Sequence, residues 1–254
     1  MTEIADSSSS PPAAATTKNS FQRIAGVLFA PAETFQDIAR KPDIVVPLLV
    51  IILLGYVSTF FVIQRMDWNA VVEAQIDTMK KQNPNMSQED IDRISNMSSA
   101  MGKVIGWVSP LMGVLWYVIL AGVLLLAFRM MGGEGNFVQA LSTTLYAWMP
   151  LVIFGIVMTI IIIARGSVDP TQMATIVKSN PAFLVDMKEQ AVLYSLLTNF
   201  DIFTIWMIVL LILGFSTFTK TSRGKSAAIV ISLWVVFILI KVGIAALGAA
   251  RMNA

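Results

Sequence analysis

The stretch NFDIFTIWMIVLLILGFSTFTKTSRGKSAAIVISLWVVFILIKVGIAALGAA, Asn199–Ala250, decides the fold. Ile202 to Thr219 carries no charge, and neither does Ser226 to Ile240; the apolar run resumes after Lys241. Between the two lies a basic turn, Lys220–Thr221–Ser222–Arg223–Gly224–Lys225. At about 1.5 Å per helical residue, each run matches a hydrocarbon core of about 30 Å. The stretch reads as a transmembrane hairpin.

Composition agrees. The 254 residues are 56% hydrophobic and 13% charged, against about 25% charged in soluble domains. So few charges leave too little polar surface to coat a soluble fold of this length. The net charge of +2 and the absence of a basic stripe with interleaved aromatics argue against a nucleic-acid partner. Histidine and cysteine are both absent. Disulfides, zinc sites with His or Cys ligands, thiol nucleophiles and Ser–His dyads are therefore excluded. No cofactor or metal is expected, and no catalytic residue.

Working outward from the hairpin, five spans emerge: about 45–63, 104–128, 141–164, 202–219 and 227–249. Residues 1–19 are rich in Ser, Pro, Ala and Thr and read as a disordered tail. Residues 20–44 form an amphipathic segment, 45–250 the membrane domain, and 251–254 a short C-terminal tail. In the amphipathic segment Ser20 is the expected helix cap. Phe21, Ile24, Val27 and Leu28, then Phe35, Ile38 and Ala39, fall at helical spacing. Pro31 suits a first helical position and Glu33 the positive helix end. Asp37, Arg40 and Lys41 lie off the apolar stripe. The segment is expected to lie on the membrane surface.

Two long connections, 65–103 and 165–200, alternate with two short ones, 129–140 and 220–226. Lys18, Arg23, Arg40, Lys41, Arg129, Lys220, Arg223 and Lys225 share one face of a five-span chain. By the positive-inside rule the N-terminus is cytosolic and the C-terminus outside. Both long loops read as helical. Ser87 with Asp90 resembles a capping box, and Asp169–Pro170 and Asn180–Pro181 read as caps followed by proline. Gln75–Pro84 also aligns without gaps on Gln172–Pro181, sharing Gln, Thr, Lys, Asn and Pro. Phe35 lies twelve residues before Pro47, and Phe137 thirteen before Pro150; Arg65 and Arg165 close the two spans that follow. This pattern fits a parallel span–loop–span repeat, which predicts a pseudo-two-fold axis along the membrane normal.

Ionisable residues at membrane depth are candidate functional groups. Asp201 opens the fourth span and Lys241 lies in the outer half of the fifth, so the two form a candidate intramembrane pair, serving an ion relay or a substrate site. The competing reading makes Asp201 a helix cap and lets Lys241 snorkel outward. Pro47, Pro110 and Pro150 are candidate hinge or packing positions, and Gly122, Gly155 and Gly214 candidate close-packing points. Glu89, Asp90 and Asp92 are spaced as a solvated helix face. Met79, Met86, Met97 and Met101 suit the apolar faces of loop helices better than copper ligation. Intramembrane proteolysis fits poorly, because Asp201 stands without the second membrane aspartate that an aspartyl enzyme needs.

Several short motifs occur in a suggestive order. Phe29-Ala-Pro-Ala-Glu-Thr-Phe35 and Lys41–Pro42 precede the first span, Phe137-Val-Gln-Ala140 enters the third, and Asp201-Ile-Phe-Thr-Ile-Trp206 opens the fourth. Over Phe21 to Ala249 the chain resembles the Yip family, the Ypt/Rab-interacting membrane proteins, and its bacterial members in particular. Asp43-Ile-Val-Val-Pro47 keeps the Asp and Pro of the eukaryotic Asp-Leu-Tyr-Gly-Pro motif but not its middle, so the resemblance does not extend to direct Rab binding. The resemblance implies an all-α, polytopic, non-catalytic membrane adaptor or organiser. It would bind protein partners or a second copy of itself within the lipid bilayer. A bacterial inner membrane is the expected location, or Golgi or endoplasmic reticulum for a eukaryotic source. The rival expectation is a small transporter or channel with a polar site around Asp201 and Lys241.

Overall fold

A computed structural model describes residues 18–83, 85–187 and 189–253. The expected disordered tail falls, up to residue 17, outside the described residues. The rest is helical: α1 (Ser20–Phe29), α2 (Pro31–Arg40), α3 (Val45–Arg65), α4 (Trp68–Gln82), α5 (Gln88–Met130), α6 (Phe137–Ala147), α7 (Met149–Arg165), α8 (Ala191–Leu197), α9 (Ile202–Thr219) and α10 (Arg223–Asn253), with 3₁₀ turns at Pro170–Thr175 and Pro181–Leu184. Among the described residues there is no strand, only an isolated parallel bridge between Met66 and Val168. Five stretches are long and apolar enough to cross a bilayer: α3, α5, α6–α7 together, α9, and α10 as far as Ala250. The protein is an all-α, polytopic, integral membrane protein.

The bundle is built around α9. Half of its most apolar window is buried inside the protein, against 11% for α3. Its sequence is apolar on every side, as a helix enclosed by others requires. α2, α6, α7 and α10 all pack on it. The core at this point is aromatic: Phe128 and Phe215 have ring centroids 5.0 Å apart, and so do Phe215 and Phe218.

Proline decides where the spans bend. Pro47 sits in the first turn of α3, where its missing N–H leaves no helical bond unmade. Pro110 lies inside α5 and orphans the carbonyl of Gly106. The Ser109 hydroxyl donates to that carbonyl at 2.7 Å, and the helix runs on. Pro150 has no such neighbour. The third span, expected as one helix over 141–164, therefore breaks at Trp148 into α6 and α7.

Two other expectations are corrected. Asn19, not Ser20, caps α1; its side chain accepts from the Gln22 N–H in a full capping box. The apolar stripe of α2 does not lie on lipid: Thr34, Phe35 and Ile38 are buried, because α2 packs against α9. The segment breaks at Ala30, leaving Phe21 and Phe29 exposed on α1. Arg40 and Lys41, both exposed, flank the end of α2.

Both short turns lie at the same end of the bundle. The Glu134 N–H donates to the Thr219 carbonyl at 3.0 Å, Lys220 pairs with Glu134 at 2.6 Å, and Lys225 donates to the Met131 carbonyl. This end is the basic face. At the opposite, loop face, α4 packs on the outward extension of α5. Ser87 caps α5, accepting from the Asp90 N–H at 3.2 Å. The other long loop is less regular: two 3₁₀ turns and short α8.

The aligned loop segments adopt different conformations. Gln75–Gln82 is α-helical, whereas 172–181 runs through 3₁₀ and irregular backbone; Pro84 is outside the described residues. α3 and α7 run side by side, α2 packs on α9, and α6 packs on α5. Contacts near the seam join residues about 100 apart: Ser58 with Thr159 at 2.7 Å, and the Val168 N–H with the Arg65 carbonyl at 2.9 Å.

Gly214 is where α2 and α6 come closest to α9. A Cβ there would stand 2.9 Å from Phe35 Cδ1 and closer still to Thr143 Cγ2. Gly214→Ala should destabilise the protein by about 1–3 kcal/mol, seen as a lower thermal unfolding midpoint in detergent. Gly243→Ala, with nothing within 4 Å, should leave the midpoint unchanged or slightly raised.

Candidate functional site

Asp201 stands at the loop-face start of α9, and Lys241 lies inside the loop-face half of α10. They do not pair with each other. Asp201, only 6% exposed, caps α9: its Oδ1 accepts from the Phe203 N–H at 2.9 Å and the Thr204 N–H at 3.4 Å. Its Oδ2 accepts from the Ser179 hydroxyl. The carboxylate is held by the positive end of its own helix. Lys241 Nζ instead donates to Thr198 Oγ1 at 2.9 Å and Asn199 Oδ1 at 3.2 Å.

A cavity of about 230 Å³ lies between α3, α5 and α7. Gly55, Ser58, Pro110, Tyr117, Trp148 and Gly155 are among its lining residues, and no ionisable acid or amine is. The Ser58 and Thr159 hydroxyls bond to each other beside it, and the Thr159 hydroxyl lies 2.7 Å from the Gly155 carbonyl. Neither Asp201 nor Lys241 reaches this space. An uncharged lining of this kind offers a charged solute no counter-ion.

The densest polar constellation is on the basic face, and it joins α1–α2 to the third span. Arg23, only 3% exposed, donates from Nε to Asp37 Oδ2 at 2.8 Å and from Nη1 to the Lys41 carbonyl at 2.8 Å. The Gln139 amide donates to the Ala39 carbonyl at 2.9 Å. Ser142 exchanges two bonds with Asp43: its hydroxyl donates to the Asp43 carbonyl at 2.8 Å and accepts from the Asp43 N–H at 3.1 Å. The Tyr146 hydroxyl donates to Asp43 Oδ2 at 3.1 Å. Ser142 and Tyr146 are fully buried. Nearby, Lys18 pairs at 3.1 Å with Glu33, which lies in the first turn of α2, two residues after Pro31.

Four members of this clamp were not singled out from sequence. Arg23 counted only as an orientation charge, and Asp37 as a residue off the apolar stripe. Ser142 and Tyr146 were hidden inside a run read as uniformly apolar. The available signal was Ser142–Thr143–Thr144, three consecutive hydroxyls in a span, each requiring a buried acceptor. Among the acidic loop residues, Asp90 accepts from Ser87 and Asp92 from Gln88, at 2.7 and 3.1 Å. No group of three or more metal-ligating side chains forms among the described residues.

The Yip1 domain family model matches residues 25–244, from α1 into α10. The chain belongs to the Yip1 domain family. Two of the motifs that carried the resemblance touch the clamp: Lys41 of Lys41–Pro42 accepts from Arg23, and Gln139 of Phe137–Ala140 donates to the Ala39 carbonyl. The chain is also similar to the membrane protein YknW of Bacillus subtilis (strain 168), at 26% identity over 221 residues, covering 84% of this chain and 87% of the relative. No solved structure matches.

The clamp makes a quantitative prediction. Tyr146→Phe removes one hydrogen bond to a carboxylate and should cost about 1.5–3 kcal/mol, measured by thermal unfolding in detergent. Asp43→Ala should cost at least as much, and the double variant less than the sum of the two.

Proposed function

We propose that this Yip-family protein is a non-catalytic membrane adaptor or organiser, binding protein partners or a second copy of itself. Its tail and basic turns face the cytosol and its C-terminus lies outside, in a bacterial cytoplasmic membrane. The single observation that carries the reading is the clamp. It holds α1–α2 against the bundle as a fixed platform on the basic face, with Phe21 and Phe29 70% and 85% exposed. A fixed platform with exposed aromatics offers a partner preordered contacts, which lowers the entropic cost of binding. The eight Lys and Arg residues on this face support the orientation, and the bacterial relative supports the location. The transport reading draws no support from the cavity, whose lining excludes both candidate charges.

A photoreactive residue at Phe29 in cells should give discrete protein adducts, and Arg23→Gln, which loosens the platform, should diminish them. Adducts confined to lipid, together with solute flux in proteoliposomes that disappears in Lys241→Ala, would replace the adaptor reading with the transport one.

A further inference from the structure

The seam between α8 and α10 holds donors that the protein does not satisfy. Trp234, Ile238 and Lys241 follow at i, i+4 and i+7 on one face of α10. Trp234 meets Phe200 with ring centroids 5.7 Å apart, and Ile238 is 6% exposed. α8 packs along the same helix. Lys241 is thus turned into a protein seam at membrane depth.

Its two partners are neutral. Asn199 is fixed by donating from Nδ2 to the Ser195 and Leu196 carbonyls, which aims its Oδ1 at Lys241. Thr198 donates to the Ser195 carbonyl and accepts from Lys241. An ammonium has three N–H donors; two are engaged, and no carboxylate among the described residues lies within ion-pair distance. One turn before Thr198, whose N–H bonds to its carbonyl at 3.0 Å, stands Tyr194. Tyr194 is 7% exposed, and its hydroxyl has no hydrogen-bond partner among the described residues. A buried hydroxyl without an acceptor is costly, and a half-buried ammonium without a counter-ion is costly as well. Tyr194 stands one turn before Thr198 on the helix that packs along α10, and each deficit calls for the same thing: an anion with several acceptor oxygens. A phosphate meets this requirement, accepting from N–H and O–H together. At the depth of a helix end, the phosphate layer of the bilayer supplies it.

We propose that Lys241 and Tyr194, at the seam of α8 and α10, form a binding site for a phosphate anion of the kind a lipid headgroup presents. Thr198 and Asn199 are positioning residues that hold the ammonium.

The test is thermal unfolding of the full chain in neutral detergent, titrated separately with phosphatidylglycerol, phosphatidylcholine and sodium phosphate at matched ionic strength. Phosphatidylglycerol should raise the midpoint saturably and phosphatidylcholine should not. Lys241→Met should weaken the response about tenfold, and Lys241→Arg should retain it. Tyr194→Phe keeps the shape and removes only the unpaired oxygen. It should leave the unliganded midpoint unchanged or higher while weakening the response about threefold. Saturation by phosphatidylglycerol alone assigns the anion to lipid; saturation by sodium phosphate as well assigns it to a soluble source. A lipid response identical in wild type, Lys241→Met and Tyr194→Phe, or the absence of any saturable response, overturns the site. Should Lys241→Met fail to fold, Tyr194→Phe alone decides.

Discussion

A bilayer interior offers no water to a stray polar group, and this requirement orders the whole chain. Backbone groups are satisfied within helices. Where proline removes a donor, the chain either supplies another, as Ser109 does for the Gly106 carbonyl, or breaks, as at Trp148. Hydroxyls in the spans fold back on their own helices: Thr144 onto the Ala140 carbonyl at 2.9 Å and Thr219 onto the Phe215 carbonyl at 2.6 Å. One pair also crosses between helices: Ser58 bonds to Thr159, whose hydroxyl folds back on the Gly155 carbonyl, and so joins α3 to α7.

The same requirement explains the basic face. Arg23 and Asp37 belong to two short helices that the fold presses into the bundle, and each is acceptable there only because the other is present. Asp43 ends this segment and hands the chain to α3. Its carboxylate and backbone are both taken up by α6. The N-terminal segment is thus part of the membrane domain, which fits a family match beginning at residue 25. A protein assembled in this way presents a shaped, basic surface on one side and packed helices beneath it.

Crossing number was legible because a charge-free run of about 20 residues has no other common use. The basic turn, the cap at Ser87 and the cap at Asp201 were legible for local reasons, since a cap needs only its own first turn. Tertiary choices were not. The stripe Phe35–Ile38 reads identically whether lipid or α9 covers it, because both are apolar. The Asp201–Lys241 pair failed for a similar reason: proximity at the ends of adjacent spans says nothing about Asn199 turning its carbonyl toward Lys241. The alignment of Gln75–Pro84 with Gln172–Pro181 shares residues but not backbone, since α4 is braced by α5 whereas its counterpart is interrupted by two proline-led turns.

Sidedness tests the five crossings most directly. The chain has no cysteine, so a single introduced one reports alone. Ser98→Cys lies on the outward extension of α5 and Gly224→Cys in the basic turn. A membrane-impermeant thiol reagent should label Ser98→Cys in intact cells, and Gly224→Cys only after permeabilisation. Labelling of both from the same side would contradict the account.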